Sequence, residues 1–480
     1  MSSKADFWIW LAFGIFSSLF LFTSGGRLFF PYQLEWMEGE ILIYVYRLST
    51  QQNLYTEPTF EWTPFLYNFL YFYVTYAVDY LFSNGLISGR LISIISTIGT
   101  CFLLCLVVNK ITSKLVYGVL ACTIYLASYV PSGAWMDLAR VDSLFLFFTS
   151  ISIFGLFDKS RFRAPLLVLM GLVGSFLVKQ SALTMFPFFC CAFFIHRPKT
   201  AIYIAILLFI AIAGVTYVGN LITDGWYAYY IFQLAAEHKW ITYRYWSFFT
   251  HDLGGWFAPA IVVSLLGCRE KGYKNTASLV FVISGLMFCA YLSRLHNGGY
   301  LNVLMPAYFA VAMGTSVGLS RILKSDKVGL HFMAGFLIFL QLVICTYNPS
   351  KYLPSKTDIH ENQRIIRLLR KSPSEVWVPH HSYLTFLADK PPHAHILALV
   401  DVKQNDRSSV SLKLETQLVK KIEEQKFSLV LLDEYDRFGL REAFLQKKYQ
   451  GIGKLFLDSD KLIPKSGYIT RPQWIFLPIN

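Results

Sequence analysis

Long apolar segments recur along the first 350 residues and decide what this chain can fold into. A helix needs about 20 apolar residues to cross the hydrocarbon core of a bilayer. Only helices and closed barrels satisfy their backbone polar groups there. The sequence predicts about eleven transmembrane helices, at 7–24, 90–108, 115–133, 142–157, 164–179, 181–196, 200–219, 254–268, 276–293, 300–319 and 329–347. We therefore expect a polytopic α-helical membrane protein.

The composition supports that class. Only 15% of the 480 residues are charged and 55% are hydrophobic, whereas soluble domains carry about 25% charged residues. The net charge of +13 lies mostly in short loops between apolar segments, which is the positive-inside pattern of membrane proteins rather than a sign of nucleic-acid binding. The eight cysteines are scattered without a CxxC pair. This predicts small buried side chains and neither disulfides nor a zinc site.

The aromatic segment 64–83 decides the orientation in the membrane. It is long enough to span, but it carries Asn68 and Asp79, and its composition is typical of a helix lying in the membrane interface. If it does not cross, the dense basic loops all fall on one side, at 109–114, 158–163, 196–199, 269–274 and 321–327. That side is then the cytoplasm, and we expect the polar stretches described below on the extracytoplasmic face.

The composition changes near residue 350, where prolines and charged residues become frequent. Two buried strands are predicted at 376–378 and 428–432, and two helices at 409–426 and 437–449. We predict a transmembrane domain at 1–348, with an interfacial loop at 25–89, and a small soluble α/β domain at 349–480 on the extracytoplasmic face. No glycine-rich phosphate loop follows a strand, so nucleotide binding is not supported.

Three carboxylates follow the first apolar segment, within Leu-Glu-Trp-Met-Glu-Gly-Glu at 34–40. Charge at the mouth of a membrane protein is costly and is usually kept for chemistry or transport. Glu35 and Glu38 are three residues apart, so a helix would place both on one face. Partial burial can raise the pKa of such a carboxylate until it serves as a general base for a sugar hydroxyl. The alternative is a solvated helix start.

A second polar stretch at 135–144 precedes the fourth apolar segment. Asp137 is a candidate for a second catalytic acid. Arg140 could pair with a carboxylate or bind a phosphate, and Asp142 could bind substrate with it. A structural cap by Asp142 with a local ion pair is an equally good interpretation.

Two further stretches contribute candidate substrate-binding residues. Lys179 and Gln180 interrupt two apolar segments almost without a loop. Lys179 could bind a phosphate or extend to the interface as a simple anchor. The stretch 293–302 adds a cation, a group that titrates near neutral pH and an amide inside a span that needs a partner; its candidates are Arg294, His296, Tyr300 and Asn302. An ordinary tight turn is the alternative.

Taken in order, these motifs resemble the GT-C superfamily of membrane glycosyltransferases, which use polyprenyl-phosphate sugars. The resemblance covers roughly residues 5–320. It is nearest to the bacterial lipopolysaccharide-core galacturonosyl, aminoarabinose and mannosyl transferases. The matching stretches are the acidic motif at 35–39 with Asn-Leu-Tyr at 53–55, the aromatic segment opened by Thr-Pro-Phe-Leu-Tyr at 63–67, the acids at 137–142, and the turn at 296–302.

The resemblance implies that a sugar moves from a polyprenyl-phosphate-linked donor to a glycan, lipid or protein acceptor at the outer face. A carboxylate would deprotonate the acceptor hydroxyl, and cations would stabilise the leaving lipid phosphate. Related enzymes usually carry Asp-Glu at the first site, whereas residue 37 is Met; Glu35 and Glu38 therefore both remain candidates. Thr63 stands where a lysine is frequent, which leaves Arg140, Lys179 or Arg294 to bind the phosphate.

A transporter or lipid flippase is the alternative from a different class. It would need polar residues along a path through the midplane, and Asn302 is almost the only one. We therefore expect a multi-pass enzyme of the plasma (inner) membrane that works among membrane lipids. No cofactor is certain and no residue spacing demands a metal, although several acids could hold a divalent cation.

Overall fold

The computed structural model describes residues 3–270, 275–404, 408–433, 448–457 and 462–479. The chain divides into two compact units. The helical unit consists of Met1–Gly25, Ile92–Val215 and Lys239–Ser350. The mixed unit consists of Gly26–Leu91, Thr216–His238 and Lys351–Asn480.

A helix forms at each of the eleven predicted apolar segments. These helices are Ser3–Leu28, Gly85–Thr112, Leu115–Ala127, Asp142–Leu156, Arg163–Val178, Phe186–Phe194, Pro198–Ile222, Gly255–Cys268, Thr276–Leu295, Met305–Ile322 and Val328–Ile344. Among the described residues, six helices are long and apolar enough to cross a membrane, or seven if the bent pair Val328–Ile344 and Pro349–Lys371 is one span. The chain is therefore a multi-pass membrane protein, and the count of eleven spans stays a prediction.

The helix Met305–Ile322 is the core of the helical unit, because every one of its residues is buried. Small residues let neighbouring helices approach it closely. A Cβ on Gly267 of the helix Gly255–Cys268 would overlap the backbone of Gly318. Close contact through glycine is a common way to associate helices in lipid, where the hydrophobic effect does not drive them together.

The mixed unit contains a four-stranded sheet of order β1-β2-β4-β3. Its strands are β1 Glu375–Trp377, β2 Phe427–Asp433, β3 Tyr449–Lys454 and β4 Pro472–Pro478. β1 and β2 are parallel, while β4 runs antiparallel to both β2 and β3. The predicted strands at 376–378 and 428–432 are confirmed to within a residue. The sequence did not predict β3 and β4.

Helices flank this sheet, at Lys356–Lys371, Tyr383–Leu387, Ile396–Val402 and Ser409–Glu423. The first begins with a capping box in which Ser355 and Asp358 each bond the other's backbone N–H, which satisfies two donors at the helix start. Ser409–Glu423 confirms the helix predicted at 409–426. The helix predicted at 437–449 lies almost wholly outside the described residues, and its last residue, Tyr449, begins β3.

The loop that follows the first apolar helix folds with this sheet. Phe60 packs against Trp377 and Phe427, with ring centroids 5.7 and 5.6 Å away. The loop also contains the helices Ile41–Ser49 and Leu70–Phe82. The second covers most of the aromatic segment predicted at 64–83. Its position at the membrane interface stays a prediction.

Short helical turns complete the described chain. They are Glu38–Glu40, Gln180–Thr184, Leu301–Leu304 and Pro349–Tyr352 as 3-10 turns, Tyr229–Gln233 and Phe248–Gly254 as π-helical turns, and Trp226–Ala228, Leu234–Ala236 and Arg244–Ser247 as α-helical turns.

Candidate functional site

The glutamate segment, residues 33–40 of the mixed unit, is not a continuous helix. Residues 33–37 form irregular turns, and a single 3-10 turn covers Glu38–Glu40. The backbone N–H of Glu38 donates to the carbonyl of Glu35 at 2.9 Å. The expectation that a helix places Glu35 and Glu38 on one face is therefore wrong, and the two side chains have different surroundings.

Glu38 is held in a buried ion pair with Arg90. The Nε and Nη2 atoms of Arg90 each donate to one carboxylate oxygen at 2.8 Å, and the backbone N–H of Leu34 donates to Oε2 at 2.7 Å. Both charged side chains are fully buried. The other N–H groups of Arg90 bond three backbone carbonyls between residues 27 and 32, at 2.5 to 3.0 Å. All five guanidinium donors are thus used, and they fix the path of the chain from 27 to 38.

Glu35 is also fully buried, but it lines a cavity of the mixed unit. The polar side chains that line this cavity with it are Gln33, Asp358, Asn362, His381, Tyr383, Lys465 and Thr470. A carboxylate that faces a cavity among amide, hydroxyl and imidazole groups can meet a hydroxyl group bound there. Hydrogen-bond reach of this kind is the first requirement for a general base.

Glu40 is buried and contacts Ser382, whose hydroxyl donates to Oε1 of the carboxyl group. Burial raises the pKa of Glu40 to about 8, and the bond from Ser382 opposes this only in part. Burial disfavours the charged form of a carboxyl group. Glu40 is therefore mostly protonated at neutral pH.

His381 lies between Asp433 and Gln33. Its Nε2 is 2.9 Å from Oδ1 of Asp433, and its Nδ1 contacts the side-chain amide of Gln33. The other oxygen of Asp433 accepts from the backbone N–H of Arg471 at 2.9 Å. Burial alone would raise the pKa of Asp433, but its interactions with His381 and His380 outweigh burial and hold that pKa below its ordinary value.

In the helical unit, three predicted residues from distant parts of the chain converge. Nζ of Lys179 is 2.6 Å from Oδ1 of Asp142, and the side-chain amide of Asn302 donates to the same oxygen at 3.0 Å. Lys179 adopts an extended backbone conformation directly after the helix Arg163–Val178. Asp142 makes no capping bond at the start of its own helix, so the expected cap is wrong. All three line one small cavity with Ser181 and Ser293 among other residues.

Arg294 forms a two-point ion pair with Asp252, with N–O distances of 2.7 and 3.2 Å. It also donates to the carbonyl of Gly299 at 2.7 Å, which closes the turn predicted at 293–302. His296 pairs with Trp240 through a single β-bridge. The guanidinium is thus oriented by Asp252 of the π-helical turn Phe248–Gly254 and by its own turn.

The remaining predicted residues of the helical unit make separate contacts. Asp137 accepts from the hydroxyl of Tyr129 at 3.1 Å. Trp135 contacts two of the predicted residues: its ring centroid lies 5.4 Å from that of Tyr300 and 5.7 Å from the guanidinium of Arg140. Gln180 begins the 3-10 turn that ends at Thr184.

The structure therefore places Glu35 and Glu38 in the mixed unit and the other nine predicted residues in the helical unit. Within the described part of the chain, no cluster of three or more His, Cys, Asp or Glu side chains could hold a metal ion. Sequence reasoning missed Arg90, Asp252 and His381. Only Arg90 gave a signal, because it is a charged residue at the start of a predicted span.

Comparisons with known proteins add the fold. The sequence matches no protein-family model and no curated protein. The crystal structure of ArnT from Cupriavidus metallidurans bound to undecaprenyl phosphate superposes with a TM-score of 0.61 at 8% identity, covering 99% of this chain and 98% of that one. The chain has the GT-C fold. The resemblance read from the sequence is thereby confirmed at the level of the fold.

Other structures with this fold agree. ArnT in the apo state gives a TM-score of 0.60 at 9% identity, with the same coverage of both chains. The arabinofuranosyltransferase AftD from Mycobacteria gives 0.52 at 12% identity, and the match covers 99% of this chain but 40% of AftD. The GT-C fold thus extends over nearly the whole sequence, beyond the roughly 5–320 on which the motifs were found.

Proposed function

We propose that this chain is a membrane glycosyltransferase that moves a sugar from a polyprenyl-phosphate-linked donor to an acceptor hydroxyl on a cell-envelope glycan, lipid or protein. The observation that carries the proposal is a buried carboxylate, Glu35, that lines a cavity of mixed polar and apolar residues in a chain with the GT-C fold. The ArnT structure bound to undecaprenyl phosphate supports a polyprenyl-phosphate donor.

The proposed site faces the extracytoplasmic side of the inner membrane. The basic loops between the apolar helices support this orientation, because positive charge is retained in the cytoplasm. The short apolar helices such as Leu115–Ala127 and Asp142–Leu156 then add to the six or seven long ones, giving about eleven spans. Residues 349–480, with their sheet, form the soluble α/β part on the same side as the glutamate segment.

In the proposed reaction, Glu35 is the general base. It takes the proton of the acceptor hydroxyl as the oxygen attacks the anomeric carbon. The bond from that carbon to the lipid phosphate breaks, and its electron pair leaves with the phosphate oxygen. A single displacement of this kind inverts the anomeric centre. Positioned proton transfer contributes about 10²- to 10⁴-fold to a rate.

Glu38 has a structural role in this proposal. Its carboxylate is already neutralised by Arg90 and accepts three hydrogen bonds, which favour the ionised form and make it a poor proton acceptor. Of the two glutamates left open by the sequence, Glu35 is therefore the better base. Asp137 remains the alternative acid in the helical unit.

Lys179 is the proposed ligand of the donor phosphate. Asp142 and Asn302 orient its ammonium group, and an ammonium group stabilises negative charge that develops on a leaving phosphate. Arg140 and Arg294 are the further candidate cations. Gln180, His296 and Tyr300 are proposed to complete the substrate-binding surface of the helical unit.

The test is transfer of radiolabelled sugar from polyprenyl-phosphate donors in membranes. We expect Glu35→Gln to lower the rate at least about 100-fold, with unchanged protein level. Glu57→Gln is the matched control, because that carboxylate lies on the surface of the same loop and pairs with Lys413. Full activity of Glu35→Gln would overturn the assignment of the base. Absence of transfer by the wild type with every donor tried would count against the glycosyltransferase itself.

A further inference from the structure

Residues more than 340 positions later in the chain form hydrogen bonds with the glutamate segment along its whole length. At its start, the amide of Gln33 contacts Nδ1 of His381. In its middle, the carbonyl of Trp36 accepts from Nε2 of His395 at 3.1 Å. At its end, the carboxyl group of Glu40 accepts from Ser382. Both ends and the middle of an otherwise irregular segment are thus fixed by side chains from 381–395.

Packing reinforces these bonds. The ring of Trp36 lies 5.1 Å from the ring of His395 and 6.0 Å from that of His380. Gly39 lies directly against the ring of Tyr383, so that a Cβ at this position would overlap the ring. The shape of the segment therefore depends on close contact with 380–395 as well as on hydrogen bonds.

His381 is the most constrained of the partners. Asp433 can only accept when ionised, so the Nε2 atom of His381 carries a proton and donates to Asp433. Nδ1 then carries the lone pair that accepts from the Gln33 amide. Asp433 is itself fixed by the backbone N–H of Arg471. The chain of bonds from β2 through His381 to Gln33 ends two residues from Glu35, and His381 lines the same cavity as Glu35.

We propose that His381 is a positioning residue, which fixes the glutamate segment and thereby orients the carboxylate of Glu35. Asp433 holds His381 in place, and Ser382 assists by its bond to the end of the segment. The C-terminal part of the chain is then a component of the active site and not only an appended domain. This inference rests on the proposed function, since it assumes that Glu35 is the base. A misplacement of about 1 Å at a reacting group can cost about 100-fold in rate.

Two substitutions separate positioning from general folding. His381→Ala removes both contacts, whereas His381→Asn keeps a carbonyl oxygen near the place of Nδ1, where it can accept from Gln33. We expect kcat to fall about 10- to 100-fold in His381→Ala with the KM for the donor unchanged, and to recover in part in His381→Asn. His360→Ala is the matched control, because His360 is exposed on the helix Lys356–Lys371 of the same unit.

Amide hydrogen exchange of residues 33–40 in the detergent-solubilised full chain gives a readout that needs no activity. We expect faster exchange in His381→Ala than in the wild type, an intermediate rate in His381→Asn and no change in His360→Ala. Unchanged exchange in His381→Ala would overturn the proposal whatever the activity. Faster exchange with unchanged kcat would overturn the catalytic role. An inactive wild type would count against the proposed function, while the exchange data would still decide whether His381 holds the segment.

Discussion

Replacing Glu38 by glutamine removes the negative charge from a fully buried ion pair and leaves the guanidinium of Arg90 uncompensated. Deleting one partner of such a pair costs about 3 to 5 kcal/mol. The amide also presents an NH₂ group where the carboxylate accepted from Arg90 and from the backbone N–H of Leu34. We expect Glu38→Gln to lower the unfolding midpoint of the detergent-solubilised protein by about 6 to 20 °C, at about 2 to 4 °C per kcal/mol for a unit of this size.

A double-mutant cycle measures the interaction energy between Glu38 and Arg90. Arg90→Met alone leaves Glu38 buried without its cation, so we expect it to destabilise the protein as strongly as Glu38→Gln does. In the double variant no uncompensated charge remains, so its loss of stability is expected to be at least about 2 kcal/mol smaller than the sum of the single losses. Glu57→Gln breaks only the exposed pair with Lys413 and should change stability by less than about 0.5 kcal/mol.

One result would refute this reasoning. If Glu38→Gln unfolds at the wild-type temperature and yet abolishes sugar transfer, Glu38 acts in the chemistry and the ion pair with Arg90 does not hold the loop. Retention of activity together with a lowered midpoint would support the structural assignment. Thermal unfolding and transfer assays on the same preparations therefore discriminate between the two roles.

Three further predictions concern single residues. The pKa of Glu40 is about 8 in the folded state and about 4.5 in the unfolded chain, so the free energy of unfolding should fall by up to about 5 kcal/mol as pH rises from 4.5 through 8. Glu40→Gln should flatten this pH dependence. An unchanged slope in Glu40→Gln would contradict the prediction. Lys179→Met should raise the KM for the donor by about 10- to 100-fold, as expected for loss of a charge-assisted hydrogen bond; an unchanged donor KM would exclude Lys179 as the phosphate ligand. Gly39→Ala should lower both activity and midpoint because its Cβ overlaps Tyr383, whereas Gly14→Ala, with open space around Cβ, should behave as wild type.

The sequence predicted the helices and strands that are specified by a pattern of neighbouring residues. Each apolar segment became a helix, because a run of apolar residues is sufficient to specify one in lipid. Their limits differ from the prediction: the segment predicted at 115–133 is helical only to Ala127, and turns follow as far as Gly133 and Ala134, which adopt positive φ. β3 was missed because its Tyr-Gln-Gly-Ile-Gly-Lys sequence contains two glycines and one β-branched residue and does not alternate between apolar and polar residues.

The details of the site depend on contacts between distant residues and were not predictable in the same way. A spacing of three positions suggested that a helix places Glu35 and Glu38 on one face. The segment instead forms turns, and Arg90, 52 positions away from Glu38, pairs with Glu38 there. His381 is an unremarkable histidine in the sequence, and its partner Gln33 lies 348 positions away. In contrast, Asp142, Lys179 and Asn302 were all selected as polar residues at the end of or inside an apolar segment, and the structure brings them together.

The contacts of residues 381–395 with the glutamate segment also have a consequence for biosynthesis. Glu40 leaves the ribosome 342 residues before Ser382, which at about 5 to 20 residues per second is roughly 20 to 70 seconds. Throughout that interval the nascent chain has Arg90 to pair with Glu38 but lacks the partners of the glutamate segment at 381–395. A translation product that stops short of residue 380 would therefore insert its helices and still lack the contacts that order the glutamate segment, so that the proposed sugar transfer becomes possible only late in synthesis.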